Sequence, residues 1–132
     1  AVNVSADTLE SFMLPQALLS DEYEKSVCKK QDGFASVVLV SVNNAERSIS
    51  GTITITKYND LNHNMTNCKV DVPYNTFRYY KEIPTDNKPI IVFGDGDISY
   101  INYSDGNINY QFNLNCDFDT MVSIAETIND KG

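Results

Sequence analysis

From Ile108 to Leu114 the chain reads INYQFNL, and its apolar side chains fall on every second residue. Ile108, Tyr110, Phe112 and Leu114 share one parity, while Asn107, Asn109, Gln111, Asn113 and Asn115 share the other. A period of two is the signature of a strand with one buried and one polar face, and no helix can satisfy it. Two Asp-Gly pairs, Asp95-Gly96 and Asp105-Gly106, stand where such strands would have to reverse. Asp-Gly is a favoured pair for two-residue type I′ hairpin turns, the form expected at both. Turning at Asp105-Gly106 sets Tyr103 opposite Ile108, Ile101 opposite Tyr110 and Ser99 opposite Phe112. Turning at Asp95-Gly96 sets Val92 opposite Ser99 and Ile90 opposite Ile101. The same aspartates do not make an EF-hand loop. Ser99 is a poor third ligand after Asp95 and Asp97, and Gly106 stands where a glutamate is required.

The rest of the chain extends this antiparallel reading. Val37 to Val40 is apolar on both faces, and the segment from Ser48 to Tyr58 alternates with Ile49, Ile53 and Ile55 on one side. The polar link NNAERS joins these two as a hairpin. The stretch from Met65 to Ile83 reads as one bent strand or two, with Pro73 at an edge or bulge, and PTDNKP is a turn cluster. Ahead of the strands, Leu9, Phe12 and Met13, then Leu18, Leu19 and Tyr23, recur at helical spacing. Ser5 or Asp7 serves as the cap, and Pro15 divides the segment into a short helix and a second one from about Pro15 to Glu24. After Cys116, the spacing of Phe118, Met121, Val122 and Ala125 predicts a short amphipathic helix capped by Asp117 or Asp119, with a final strand as the alternative. The expectation is a single mainly β (α+β) domain. It has a helical segment over 1–27, an antiparallel meander over 28–116 able to close as a small lipocalin-like barrel, and a helix or tail over 117–132.

Composition narrows the function classes. The net charge of −8 and the lack of a basic cluster argue against nucleic acid and anionic lipid surfaces. No apolar run is long enough to cross a bilayer. The sole histidine, His63, sits in a polar stretch, and neither a G-x-S-x-G elbow nor a phosphate-binding loop is present. No catalytic residue, metal ligand or cofactor is assigned, and the chain reads as a non-enzyme. Cys28, Cys68 and Cys116 lack zinc or C-x-x-C spacing, so one disulfide plus a spare thiol in an exported protein is the simplest reading.

The paired strands would carry a second apolar surface, Ile91, Phe93, Ile98 and Tyr100, on the face opposite the core. An antiparallel sheet facing water is polar there, so something covers it: the N-terminal helix, the C-terminal segment, or another protein.

The order of features between Cys28 and Cys116 resembles a bacterial family. Cys28-Lys29-Lys30 opens the β region, followed by the apolar strand and Ile49-Ser50-Gly51-Thr52-Ile53. Then come the aromatic strand Thr76-Phe77-Arg78-Tyr79-Tyr80, the turn Asp86-Asn87-Lys88-Pro89, and the closing pattern from Ile98 to Ile101 and from Phe112 to Cys116. This arrangement is similar to the FidL-like and PsaF-like accessory proteins of enterobacteria and, more distantly, to the ToxS- and VtrC-type partners of ToxR-type regulators. The resemblance implies a periplasmic regulatory protein, held at the inner membrane by an N-terminal anchor outside the sequence. It implies binding to the periplasmic domain of a membrane-bound transcriptional regulator, in a heterodimer that stabilises or activates that regulator. In some relatives a shared pocket takes a small amphipathic ligand such as a bile salt. The resemblance also implies a Cys28–Cys116 disulfide, with Cys68–Cys116 as the alternative. Two other functions compete: a barrel carrier of a small hydrophobic ligand, lined by Ile53, Ile55, Ile101, Tyr110 and Phe112, and a secreted structural or fimbrial subunit.

Overall fold

The computed structural model describes residues 2–58 and 77–128. Among these residues eight strands form one antiparallel sheet: β1 (Val2–Val4), β2 (Glu24–Asp32), β3 (Ala35–Asn44), β4 (Ile49–Tyr58), β5 (Tyr79–Ile83), β6 (Ile90–Gly94), β7 (Ser99–Asp105) and β8 (Ile108–Leu114). Their spatial order is β1-β2-β3-β4-β8-β7-β6-β5. The sheet is mainly antiparallel β with few short helices, as the alternation predicts, but it does not close. Among the described residues β1 and β5 end it without pairing to each other, so no lipocalin-like barrel closes there.

One face is buried beneath the helical segments. Leu9, Leu14 and Leu18 from the N-terminal region, and Met121, Ile124, Ala125 and Ile128 from the C-terminal region, join Val40, Ile53, Ile101 and Phe112 in a single cluster. The helical pieces are a 3₁₀ turn over Ala6–Ser11, α1 (Gln16–Leu19) and α2 (Phe118–Ala125). Ser5 caps the first, its hydroxyl accepting from the Asp7 N–H at 3.2 Å. Asp117 caps α2, accepting from the Thr120 N–H at 2.7 Å. Each cap satisfies an N–H that the first helical turn leaves without a partner.

The N-terminal expectation is corrected. The second helix stops after one turn, and residues from Glu24 onward form β2, paired with β3 along its whole length. The outer side of β3 needs a hydrogen-bonding mate, and β2 supplies it while burying only Val27. A strand with one buried side chain leaves almost no periodic trace in sequence.

Both hairpin registers are also corrected. Tyr103 pairs with Tyr110, Ile101 with Phe112 and Ser99 with Leu114, two residues along β8 from the expected partners. Gly106 takes the first central turn position with φ +61°, while Asn107 does not adopt a positive φ. That is the type II′ requirement, glycine first, rather than the type I′ one. Likewise Val92 pairs with Ile101 and Gly94 with Ser99, so Asp95 to Ile98 form a four-residue loop. A shift of two preserves parity, so every side chain expected on the core face is on it.

Candidate functional site

Two of the three exposed aromatics among the described residues, Tyr79 and Tyr80, lie at the β5 end of the sheet; the third, Phe34, sits in the turn between β2 and β3. Arg78 enters β5 with its N–H donated to Asp95 Oδ1 at 2.9 Å, and the Asp95 N–H closes its own loop on the Ile98 carbonyl at 3.2 Å. The aspartate thus fixes the chain ahead of β5. Among the described residues no group of three or more His, Cys, Asp or Glu side chains is arranged to hold a metal ion.

The expected partner patch is divided by the structure. Phe93 is only 3% exposed. It lies under Phe77, with ring centroids 4.9 Å apart, and stacks on Tyr100 at 5.0 Å, a three-ring cluster that Phe77 completes at 5.5 Å from Tyr100. Ile91 and Tyr100 are half-buried, and Ile98 remains 45% exposed. The cover over Phe93 therefore includes Phe77 of the same chain. The N-terminal and C-terminal helical segments, both considered as covers, pack on the core face instead.

Tyr79 and Tyr80 stood outside the expected patch, yet they are 39% and 41% exposed. They project to opposite faces of β5, as neighbours in a strand must. Tyr79 stacks on Phe118 of α2 at 5.4 Å, with an interplanar angle of 22°. Tyr80 lies across from Phe93 in the β5–β6 ladder. β5 pairs only with β6 among the described strands, and Tyr79 to Glu82 are all exposed. The available signal was the aromatic run Tyr79-Tyr80 just before the Pro84 turn, but it does not say whether the strand is central or at an edge.

The residues expected to line a ligand barrel are core. Ile53, Ile55, Ile101, Tyr110 and Phe112 are each at most 2% exposed and pack in the helix-covered cluster. A separate open cleft of about 460 Å³ lies beside them. Its floor is Met13, Ile90 and Tyr103, and its rim carries Asp86, Lys88 and Asp105. The Tyr103 hydroxyl donates to the Met13 carbonyl, while the Tyr110 hydroxyl accepts from the Met13 N–H at 3.0 Å. These two bonds hold the Phe12–Leu14 stretch down at the cleft wall.

Cys28 and Cys116 are both free thiols, which corrects the expected pairing. Val27 faces the core, so Cys28 points to the opposite face, whereas Cys116 is buried in the core with its Sγ 3.8 Å from Met121 Sδ. β3 and β4 separate β2 from β8, a lateral gap of ~14 Å at the usual strand spacing. A disulfide spans less than about 7 Å between Cα atoms. Burial pushes the Cys116 thiol up to about 11, with the neighbouring Asp117 carboxylate adding to the rise. The alternative Cys68–Cys116 pairing and His63 involve residues outside those described.

No protein-family model matches the chain, and no curated protein or solved structure is significantly similar to it.

Proposed function

We propose that this domain is a periplasmic accessory protein that binds the periplasmic domain of a membrane-bound transcriptional regulator and stabilises or activates it. The observation that carries the reading is the β5 end of the open sheet. Two exposed tyrosines there are seated against Phe118 and across from Phe93, with exposed Ile98 near by. Tyrosines seated against neighbouring rings offer contact area at little entropic cost, the character of binding hot spots. The order of features from Cys28 to Cys116 gives the partner class, and the net charge of −8 suits a protein rather than a phosphate-bearing one.

The test is co-elution of the purified domain with the regulator's periplasmic domain on size exclusion. Ile98→Asp and Tyr80→Ala serve as surface variants, because Phe93→Asp would place a charge in a buried cluster. A one-to-one complex that both variants weaken supports the reading. No complex with the unaltered domain rejects it.

The shared sensor pocket is favoured by the cleft at Met13. Its apolar floor suits a small amphipathic ligand such as a bile salt, with Lys88 the single cation on a rim that also carries Asp86 and Asp105. A thermal shift with a bile salt that Lys88→Glu abolishes supports this part, and no shift removes it.

A further inference from the structure

Resting on the proposed sensor cleft, we infer that its Met13 wall is a strap whose fastening to the sheet is coupled to occupancy of the cleft. A small amphipathic ligand and the hydroxyls of Tyr103 and Tyr110 hold that strap down together.

The strap is Phe12–Pro15, the stretch between the 3₁₀ turn ending at Ser11 and α1 beginning at Gln16. It belongs to no helix or strand, so its backbone groups need partners from elsewhere. Met13 finds both of its partners on the sheet. Its N–H donates to the Tyr110 hydroxyl at 3.0 Å, and its carbonyl accepts from the Tyr103 hydroxyl. The two tyrosines pair directly across β7 and β8 and stack with centroids 4.6 Å apart, so one platform grips one residue. Phenylalanine rings would fill the same core space, and a buried hydroxyl is costly unless it is bonded. What the two hydroxyls add is the placement of Met13.

Met13 is also where the strap meets the cleft. The site is built from two bodies: Met13 on one side, and Ile90, Tyr103 and the Pro84–Lys88 turn on the other. Met13 is half-buried, and its flexible thioether side chain can adapt to a ligand laid against it. A ligand seated there touches strap and sheet at once. It binds the fastened state better than a lifted one, which lacks the Met13 wall, and by linkage it favours fastening to the same degree. Tyr103 lines the cleft, whereas Tyr110 is fully buried and is not among the lining residues. Tyr110 is therefore a positioning residue, serving the ligand only by keeping Met13 in place. Occupancy is passed to the N-terminal segment, which runs from the strap back through the 3₁₀ turn to β1 at the other side of the sheet.

The test uses cholate as the probe. Calorimetry compares its affinity for the unaltered domain, Tyr110→Phe and Asp117→Ala. Hydrogen exchange follows peptides covering residues 10–15 of the unaltered domain with and without cholate. Asp117 caps α2 beyond the Leu114 end of β8, away from Asp105 and the cleft, so Asp117→Ala lowers stability without touching the strap. The expected result is at least fivefold weaker binding by Tyr110→Phe, Asp117→Ala within twofold of the unaltered domain, and slower exchange over 10–15 when cholate is bound. Equal losses in the two variants would mean general destabilisation and overturn the coupling. Tyr110→Phe binding as tightly as the unaltered domain, or exchange over 10–15 unchanged by bound cholate, would also overturn it and leave the cleft reading intact. Should Tyr110→Phe fail to melt cooperatively, the exchange measurement on the unaltered domain decides alone. No binding by the unaltered domain would remove both.

Discussion

Tyr103 and Tyr110 stack face to face with centroids 4.6 Å apart, and their hydroxyls close on the two polar groups of one residue, Met13. Neighbouring strands thereby fasten the N-terminal segment across the sheet. Removing the Tyr103 hydroxyl leaves a carbonyl without its donor, and removing that of Tyr110 leaves an N–H without its acceptor. Tyr103→Phe and Tyr110→Phe should each lower unfolding free energy by about 1–2 kcal/mol. Because they share Met13, the double variant should lose less than the sum. Urea titrations of the three variants check this.

The same pair sets an alkaline limit. Burial raises the Tyr103 phenol well above its ordinary value, and raises that of Tyr110 as well. A group whose folded pKa is raised keeps its full contribution below the unfolded value, near 10, and loses it as pH climbs through the folded value. Stability should therefore fall above about pH 10, and less so in Tyr103→Phe. Denaturation at pH 8, 10 and 11 measures the difference.

At Gly51 β4 passes against β8 with no room for a side chain. A Cβ built there would overlap the Asn113 carbonyl oxygen and lie 2.6 Å from the Leu114 side chain. Backbone cannot yield cheaply, so Gly51→Ala should cost about 3 kcal/mol, at the upper end for overpacking. A variant as stable as the parent would show that the β4–β8 seam is looser than described.

Cys116 should be chemically quiet. With its pKa at about 11, little thiolate exists at neutral pH, and the thiolate is the reactive form. Alkylation of the native protein at pH 8 should leave Cys116 unmodified until denaturant is added. Non-reducing peptide mapping should yield no Cys28–Cys116 peptide.

Asp117 supplies a cap that acid removes. The Thr120 side-chain and backbone hydrogen bonds hold its carboxyl below the usual carboxylate value. The contribution of a depressed group is present above its unfolded value, near 4, and disappears as pH falls through the folded one. Asp117→Ala should cost about 1 kcal/mol at pH 7, with the gap to the parent narrowing below pH 4. Paired urea melts at pH 7 and pH 3 read it out.

Much of this fold is written in parity. Ile53, Ile101, Tyr110, Phe112 and Leu114 alternate with polar neighbours, and that alone assigns them to the core face whatever the exact register. The register itself depended on which turn position glycine takes. Gly106 occupies the first central position, a choice that the dipeptide Asp-Gly leaves open. β2 escaped notice because eight of its nine residues bury little, and its strand character comes from the needs of β3. Closure into a barrel is equally invisible, since the pattern of a strand is the same in an open and a closed sheet. The candidate site was half legible. The apolar parity of Ile91, Phe93 and Tyr100 was readable, but only the three-dimensional packing buries Phe93 under Phe77 and leaves Tyr79 and Tyr80 exposed.

Hydrogen exchange of β5 with and without the regulator's periplasmic domain tests the central claim most directly. β5 pairs only with β6 among the described strands and exposes Tyr79 to Glu82, so its amides should exchange early in the free domain. The account predicts that amides from Tyr79 to Ile83 become protected in the complex. Protection confined to other strands, with β5 exchanging as fast as in the free domain, would contradict it.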